Sequence, residues 1–255
     1  MTAAMTERPT TSYLLVGAPR TGTSLLSEAL TSTGVLGRPE EYFWERQEAH
    51  WASVFGIPVP AGPDRRRYVE EAVRFGTTPN GTFGAKVFFR HAEALWAWTT
   101  EDEQLATMPE RQRLRAIFGD DLHAVHVRRH PLRAAVSLWR AEATDVWRAE
   151  TDDPVPAPPA RLDVWRVTML HAQFHGADAA WPQLLRSADI PFMTATYERI
   201  VADLEGTVAD VAQLVGVSDL QPITHPSLKR MGDEASERFM SEWSDATGGC
   251  VACDR

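Results

Sequence analysis

Apolar residues follow two rhythms along this chain. Tyr13-Leu14-Leu15-Val16 is a short unbroken apolar run closed by Gly17, the pattern of a strand buried on both faces. Behind it, Leu25, Leu26, Ala29 and Leu30 recur at helical spacing up to Gly34, with Thr23 or Ser24 able to cap the first turn. Gly84-Ala85-Lys86-Val87-Phe88-Phe89 predicts a second strand after the turn dipeptide Asn80-Gly81, and Leu122 to Val127 a third. Past Pro131, the residues Leu132, Ala135, Val136, Trp139, Ala143 and Val146 form the stripe of a helix. Residues 151–160 hold Pro154, Pro156, Pro158 and Pro159 and predict an extended surface loop. A long helix is expected over 161–186, with Leu162, Trp165, Met169, Leu170, Phe174 and Trp181 on its buried side. Ile190 to Tyr197 reads as a last strand, with Pro191 at its start.

Strands alternating with helices predict an α/β fold: one P-loop-like domain whose mainly parallel central sheet is flanked by helices. The expected organisation is a disordered N-terminus over 1–11, the domain over 12–243 and a flexible tail over 244–255. Such sheets bind ligands beyond the carboxyl ends of their strands. That rule selects Arg20 to Ser24, then Arg128, Arg129 and His130, then Tyr197-Glu198.

Composition narrows the partners. The chain has 255 residues, 44% hydrophobic and 24% charged, which suits one large globular domain. Its net charge of −9 and pI near 5.4 argue against nucleic acid or an anionic membrane, since both require a broad basic surface. No N-terminal leader pattern and no run near the ~20 apolar residues of a membrane span is present, so a cytoplasmic protein with no membrane insertion is expected. Cys250 and Cys253 make a C-x-x-C in the last residues, which reads as tail rather than as a redox pair or half a metal site.

The chemistry begins at Gly17-Ala18-Pro19-Arg20-Thr21-Gly22-Thr23-Ser24. The frame is that of a phosphate-binding loop, but Thr23 stands where a nucleoside triphosphatase has lysine, and Arg20 is the only cation. Backbone N–H groups of Thr21, Gly22, Thr23 and Ser24 at a helix start would hold an anion, and Arg20 would add a planar fork of donors. A second basic site is Arg129 with Ser137, about two helical turns further on, where cations at a helix start oppose its dipole unless an anion is bound.

These two sites resemble those of sulfotransferases that use 3′-phosphoadenosine 5′-phosphosulfate (PAPS). Gly34-Val35-Leu36-Gly37-Arg38-Pro39-Glu40-Glu41-Tyr42-Phe43, Gly81 to Lys86, and Ala135 to Ala141 are similar to the bacterial trehalose 2-sulfotransferase type, over residues 12 to 148. The resemblance implies that Arg20 and the 21–24 backbone hold the 5′-phosphosulfate and that Arg129 and Ser137 hold the 3′-phosphate. It leaves open whether Arg128 shares that task. Lys229 and Arg230, in a weaker echo at 229–232, would close over the same phosphate. The resemblance also makes a homodimer plausible.

Glu41 matches the family's proposed general base by its place after Gly37 and Pro39, and Tyr42-Phe43-Trp44 would lower the polarity around it. Lys86, inside an apolar strand, either meets the transferring group or forms a structural ion pair. A sulfuryl group in transit carries less charge than a phosphoryl group, so no catalytic metal is expected. His171 and His175 lack the glutamate of a zinc motif and read as structural. Trp44, Trp51, Phe83, Phe88, Trp96 and Trp98 cluster in sequence around Glu41 and Lys86, which suits a hydroxylated small-molecule acceptor: trehalose, another sugar or a secondary metabolite. The alternatives are a P-loop kinase or nucleotide-binding regulator, and a silent anion-binding module.

Overall fold

Every position of β1 (Thr11–Gly17) is buried, which is why its sequence runs apolar instead of alternating. The computed structural model describes residues 8–57, 65–147, 157–224 and 234–249. Its sheet has four parallel strands in the order β2-β1-β3-β4, where β2 is Thr82–Phe88, β3 Leu122–Arg128 and β4 Phe192–Thr196. Pro191 has no N–H to give the ladder and lies just outside β4, its carbonyl accepting from Ala124 N–H at 2.9 Å.

The helices are α1 (Thr23–Ser32), α2 (Glu45–Val54), α3 (Arg65–Gly76), α4 (Phe89–Glu101), α5 (Glu110–Phe118), α6 (Pro131–Thr144), α7 (Val164–Ser187), α8 (Tyr197–Ala202), α9 (Leu204–Leu214) and α10 (Glu234–Thr247). α10 runs past the expected domain edge at 243. On one face of the sheet Leu14, Val16, Phe83, Val87 and Ala124 pack with Tyr42, Trp51, Tyr68, Phe118 and Trp181. On the other, Leu15, Val125, Val127 and Ala195 pack with Leu26 and Leu30 of α1 and with Val208 and Val211 of α9. A third cluster joins α6, α7 and α10 through Trp139, Phe174, Phe239 and Trp243. Among the described residues no helix is long and apolar enough to cross a membrane.

Two expectations about helix faces are corrected. Trp165 and Met169 of α7 are 71% and 50% exposed, because the buried stripe runs through Val167, Leu170, Phe174, Trp181 and Leu185 instead. Ala143 is exposed near the end of α6, and Val146 falls beyond that end, since Asp145 turns into the left-handed region at φ 55.

Strand order fixes where a ligand can enter. From β1 the chain moves to one side of the sheet and from β3 to the other, so a crevice opens at their carboxyl ends, between residues 17–22 and 128–130. Gly17 closes its floor: a Cβ there would lie 2.4 Å from the Val127 carbonyl oxygen, and its φ is +155°. Gly17→Ala should therefore destabilise the fold by about 2–4 kcal/mol. A urea midpoint that falls with an unchanged slope is the expected readout, and an unchanged midpoint would contradict the close approach.

Candidate functional site

Two neighbouring clusters make up the site. In the first, Arg20 occupies the left-handed region at φ 68, a conformation that costs a non-glycine residue energy and is typically retained where function requires it. Gly22, at φ 94, caps α1 without any side-chain hydrogen bond, and no acidic residue occupies the first turn. The first N–H groups of α1 thus have neither intrahelical partners nor a capping side chain. A Cβ on Gly22 would meet the Tyr197 ring at 2.9 Å.

Arg20 Nε donates to Ser137 Oγ at 3.1 Å and its NH1 donates to the Trp147 carbonyl at 2.5 Å. Arg129 NH1 donates to the Arg20 carbonyl at 3.0 Å, and its guanidinium lies 4.1 Å from the Tyr197 ring centroid. The loop and the Arg129 and Ser137 pair, read as two sites in the sequence, therefore meet in one basic cluster. Burial, followed by the charge of Arg129, pushes the Arg20 pKa below its ordinary value. Two cations held together in partial burial make a place that an anion would relieve.

Arg128 turns elsewhere. Its Nε donates to Asp178 at 2.9 and 2.8 Å, and His126 Nε2 lies 3.1 Å from the same carboxylate. Burial raises the Asp178 pKa, but His126 and Arg128 outweigh it and hold the carboxyl below its ordinary range. Of the adjacent arginines, Arg129 is the one that faces the loop. Thr21 and Thr23 are buried, with Thr21 Oγ1 donating to the Ala18 carbonyl at 2.8 Å, while Ser24 is exposed. Trp181 Nε1 anchors the loop by donating to the Gly17 carbonyl at 3.2 Å.

The second cluster forms where the 37–44 segment is stitched to β2. Glu40 bridges to Ala85, and Lys86 N–H donates to the Glu40 carbonyl at 2.9 Å. Ser27 Oγ of α1 donates to the Pro39 carbonyl, and Tyr68 OH to that of Tyr42 at 2.5 Å. This register brings Lys86 Nζ to 3.3 Å from Glu40 Oε2 and 3.5 Å from Glu41 Oε1. Lys86 is 5% exposed and is ion-paired with both carboxylates. Burial raises the Glu41 pKa; Lys86 pulls it down, Glu40 adds to the rise, and the net direction is up.

His91, at the start of α4, belongs to this cluster although no sequence motif marks it. Its Nδ1 accepts from Phe88 N–H at 3.4 Å, and its ring stacks on Trp44 at 5.8 Å between centroids. Burial and the Lys86 charge lower its pKa to about 4, so the ring is neutral near pH 7. The sequence signal was its position directly behind the lysine-bearing strand. Of the other aromatic candidates, Trp51, Phe83 and Phe88 are core, and Trp96 lies under the Arg113 guanidinium. His171 packs edge-on against Trp243 at 5.0 Å. Lys229, Arg230, Cys250 and Cys253, with most of the proline-rich loop, lie outside the described residues.

A family model described as Stf0 sulphotransferase matches residues 12–245. Two curated relatives, both trehalose 2-sulfotransferases, align along most of the chain. The one from Mycolicibacterium smegmatis is 27% identical over 274 residues, covering 94% of this chain and 96% of its own. The one from Mycobacterium tuberculosis is 27% identical over 259 residues, covering 91% and 92%. Among solved structures, a sulfotransferase from Alicyclobacillus acidocaldarius is 14% identical with a TM-score of 0.49, covering 95% of this chain and 94% of that one.

Proposed function

The chain belongs to the Stf0 sulphotransferase family and is a sulfotransferase; from that premise we propose that it transfers the sulfuryl group of PAPS to a hydroxyl of a carbohydrate. The observation that carries the donor is the meeting of Arg20, Arg129 and Ser137 at the crevice between β1 and β3. Among the described residues the groups acting electrostatically on Arg20 are Arg129 and Tyr197, neither of them a carboxylate, and the α1 N-terminus beside them has no side-chain cap. Those features fit a doubly phosphorylated nucleotide. Bound there, PAPS would supply a sulfuryl group on a stable phosphate leaving group.

The chain's own residues then divide the work. Arg20 and the first N–H groups of α1 hold the charge that grows on the 5′-phosphate. Arg129 and Ser137 grip the 3′-phosphate, with Lys229 and Arg230 as further candidates. Glu41, its pKa raised by burial, takes the acceptor proton. Lys86 orients Glu41 through their ion pair. Trp44, half-buried on the His91 ring, offers a face to a sugar beside that base.

The kinase reading fares worse. Thr23 replaces the lysine and is buried, β3 ends at Arg128 and is followed by Arg129 and His130, and the Asp178 carboxylate beside that strand end is paired with Arg128 and His126. Titration with 3′,5′-adenosine bisphosphate, ADP and ATP in the absence of magnesium separates the two. The bisphosphate should bind at least about tenfold tighter than either, the factor that about 1.4 kcal/mol of extra phosphate contact supplies. Preference for ATP, or no binding at all, would remove the proposal. Incubation with PAPS and trehalose, glucose or a non-sugar alcohol, read by mass spectrometry, then tests the acceptor class.

A further inference from the structure

We propose that Glu40 is a positioning residue, the second carboxylate on Lys86, which keeps that ammonium group paired when Glu41 gives up its share to take a proton. The inference rests on Glu41 as the base and adds a role for its neighbour.

The geometry is fixed from the backbone outward. Glu40 is tied to β2 by its bridge to Ala85 and by the Lys86 N–H, so its side chain leaves the chain beside Lys86 whatever Glu41 does. Its carboxylate, 41% exposed, stays hydrated, whereas that of Glu41 is 17% exposed and faces the burial that raises its pKa. Two carboxylates and one ammonium carry one net negative charge at rest. In the reaction the acceptor O–H breaks, its proton passes to a Glu41 oxygen, its electron pair forms the bond to sulfur, and the sulfur–oxygen bond to the 5′-phosphate breaks with its electrons on phosphate. The cluster is then neutral.

Without Glu40 the same step would start neutral and end with a lone cation on a side chain that is 7% exposed. Desolvation makes that end state costly, so proton transfer would be opposed. The other groups nearby do not replace Glu40. His91 on α4 is neutral near pH 7, and the Tyr42 hydroxyl, on which burial, Glu40 and then Arg38 act with a net rise in pKa, is neutral there too. Glu40 also repels charge on Glu41, which favours proton uptake.

Glu40→Gln tests this, with Glu40→Asp as the variant that keeps the charge. Protein labelled with ¹³C at glutamate carboxyls is titrated by NMR, the Glu41 resonance being identified by its loss in Glu41→Gln. In Glu40→Gln the Glu41 midpoint should fall by about half a pH unit or more, the acid limb of kcat/KM should move down with it, and kcat should drop roughly tenfold at unchanged bisphosphate affinity. Glu40→Asp should keep the midpoint within about half that shift. A Glu41 midpoint that stays or rises, or a full kcat in Glu40→Gln, overturns the inference. Absence of sulfuryl transfer by the unmodified protein would instead remove the base assignment, a separate failure that the NMR midpoint does not share.

Discussion

Glu41→Gln is expected to lower sulfuryl transfer by about 10²–10⁴-fold, the range a positioned general base supplies, while 3′,5′-adenosine bisphosphate binds within about twofold of the unmodified protein. The separation follows from the layout. Glu41 pairs with Lys86 at the end of β2, whereas the basic cluster sits one strand over, at the ends of β1 and β3. Glutamine keeps the size of the side chain and its place on Lys86 but cannot accept the acceptor's proton at neutral pH. The pH dependence has a definite sign. Burial shifts the Glu41 pKa upward, and only the ionised form is a base, so activity should climb with pH through a midpoint above that of an ordinary glutamate. That limb should vanish in Glu41→Gln. A rate within tenfold of the unmodified protein, with the limb intact, would place the base elsewhere.

How much of this was written in the sequence depends on the range of each interaction. β1, β2 and most of β3 were legible because burial on both faces leaves apolar runs, whereas β4, mostly half-buried or exposed, was marked by Pro191 at its start; the carboxyl-edge rule then placed Arg20 and Arg129 on one side of the sheet. The contact between Arg20 and Ser137 joins residues 117 apart and depends on the strand order, which no local pattern encodes. The same holds for Arg128, whose partner Asp178 lies on α7. α3 carried a readable signal in Tyr68, Val69 and Ala72 at helical spacing, masked by the arginines and glutamates of its solvated side. On α7 both faces are rich in apolar residues, so the pattern alone placed Trp165 and Met169 on the wrong one.

Arg129→Ala is expected to weaken 3′,5′-adenosine bisphosphate by about 10–150-fold, the loss of about 1.5–3 kcal/mol from hydrogen bonds to a charged group. Binding of 5′-AMP, which lacks the 3′-phosphate, should change far less. Arg129 is held in place from two sides, by the Arg20 carbonyl and by the Tyr197 ring, so its guanidinium enters the crevice with little freedom left to lose. Arg129→Lys should recover only part of the affinity, because an ammonium group has neither the flat face for Tyr197 nor the fork for a phosphate. In the ligand-free protein, removing one of two mutually repelling cations offsets part of the lost packing, so its melting temperature should fall little. The rise in melting temperature on adding bisphosphate should shrink instead. Arg128→Ala supplies the contrast: it strips a partner from Asp178 beside His126, so it should lower stability while the discrimination between bisphosphate and 5′-AMP stays intact. Equal losses for both nucleotides in Arg129→Ala would mean that Arg129 shapes the loop through Arg20 and does not grip the 3′-phosphate.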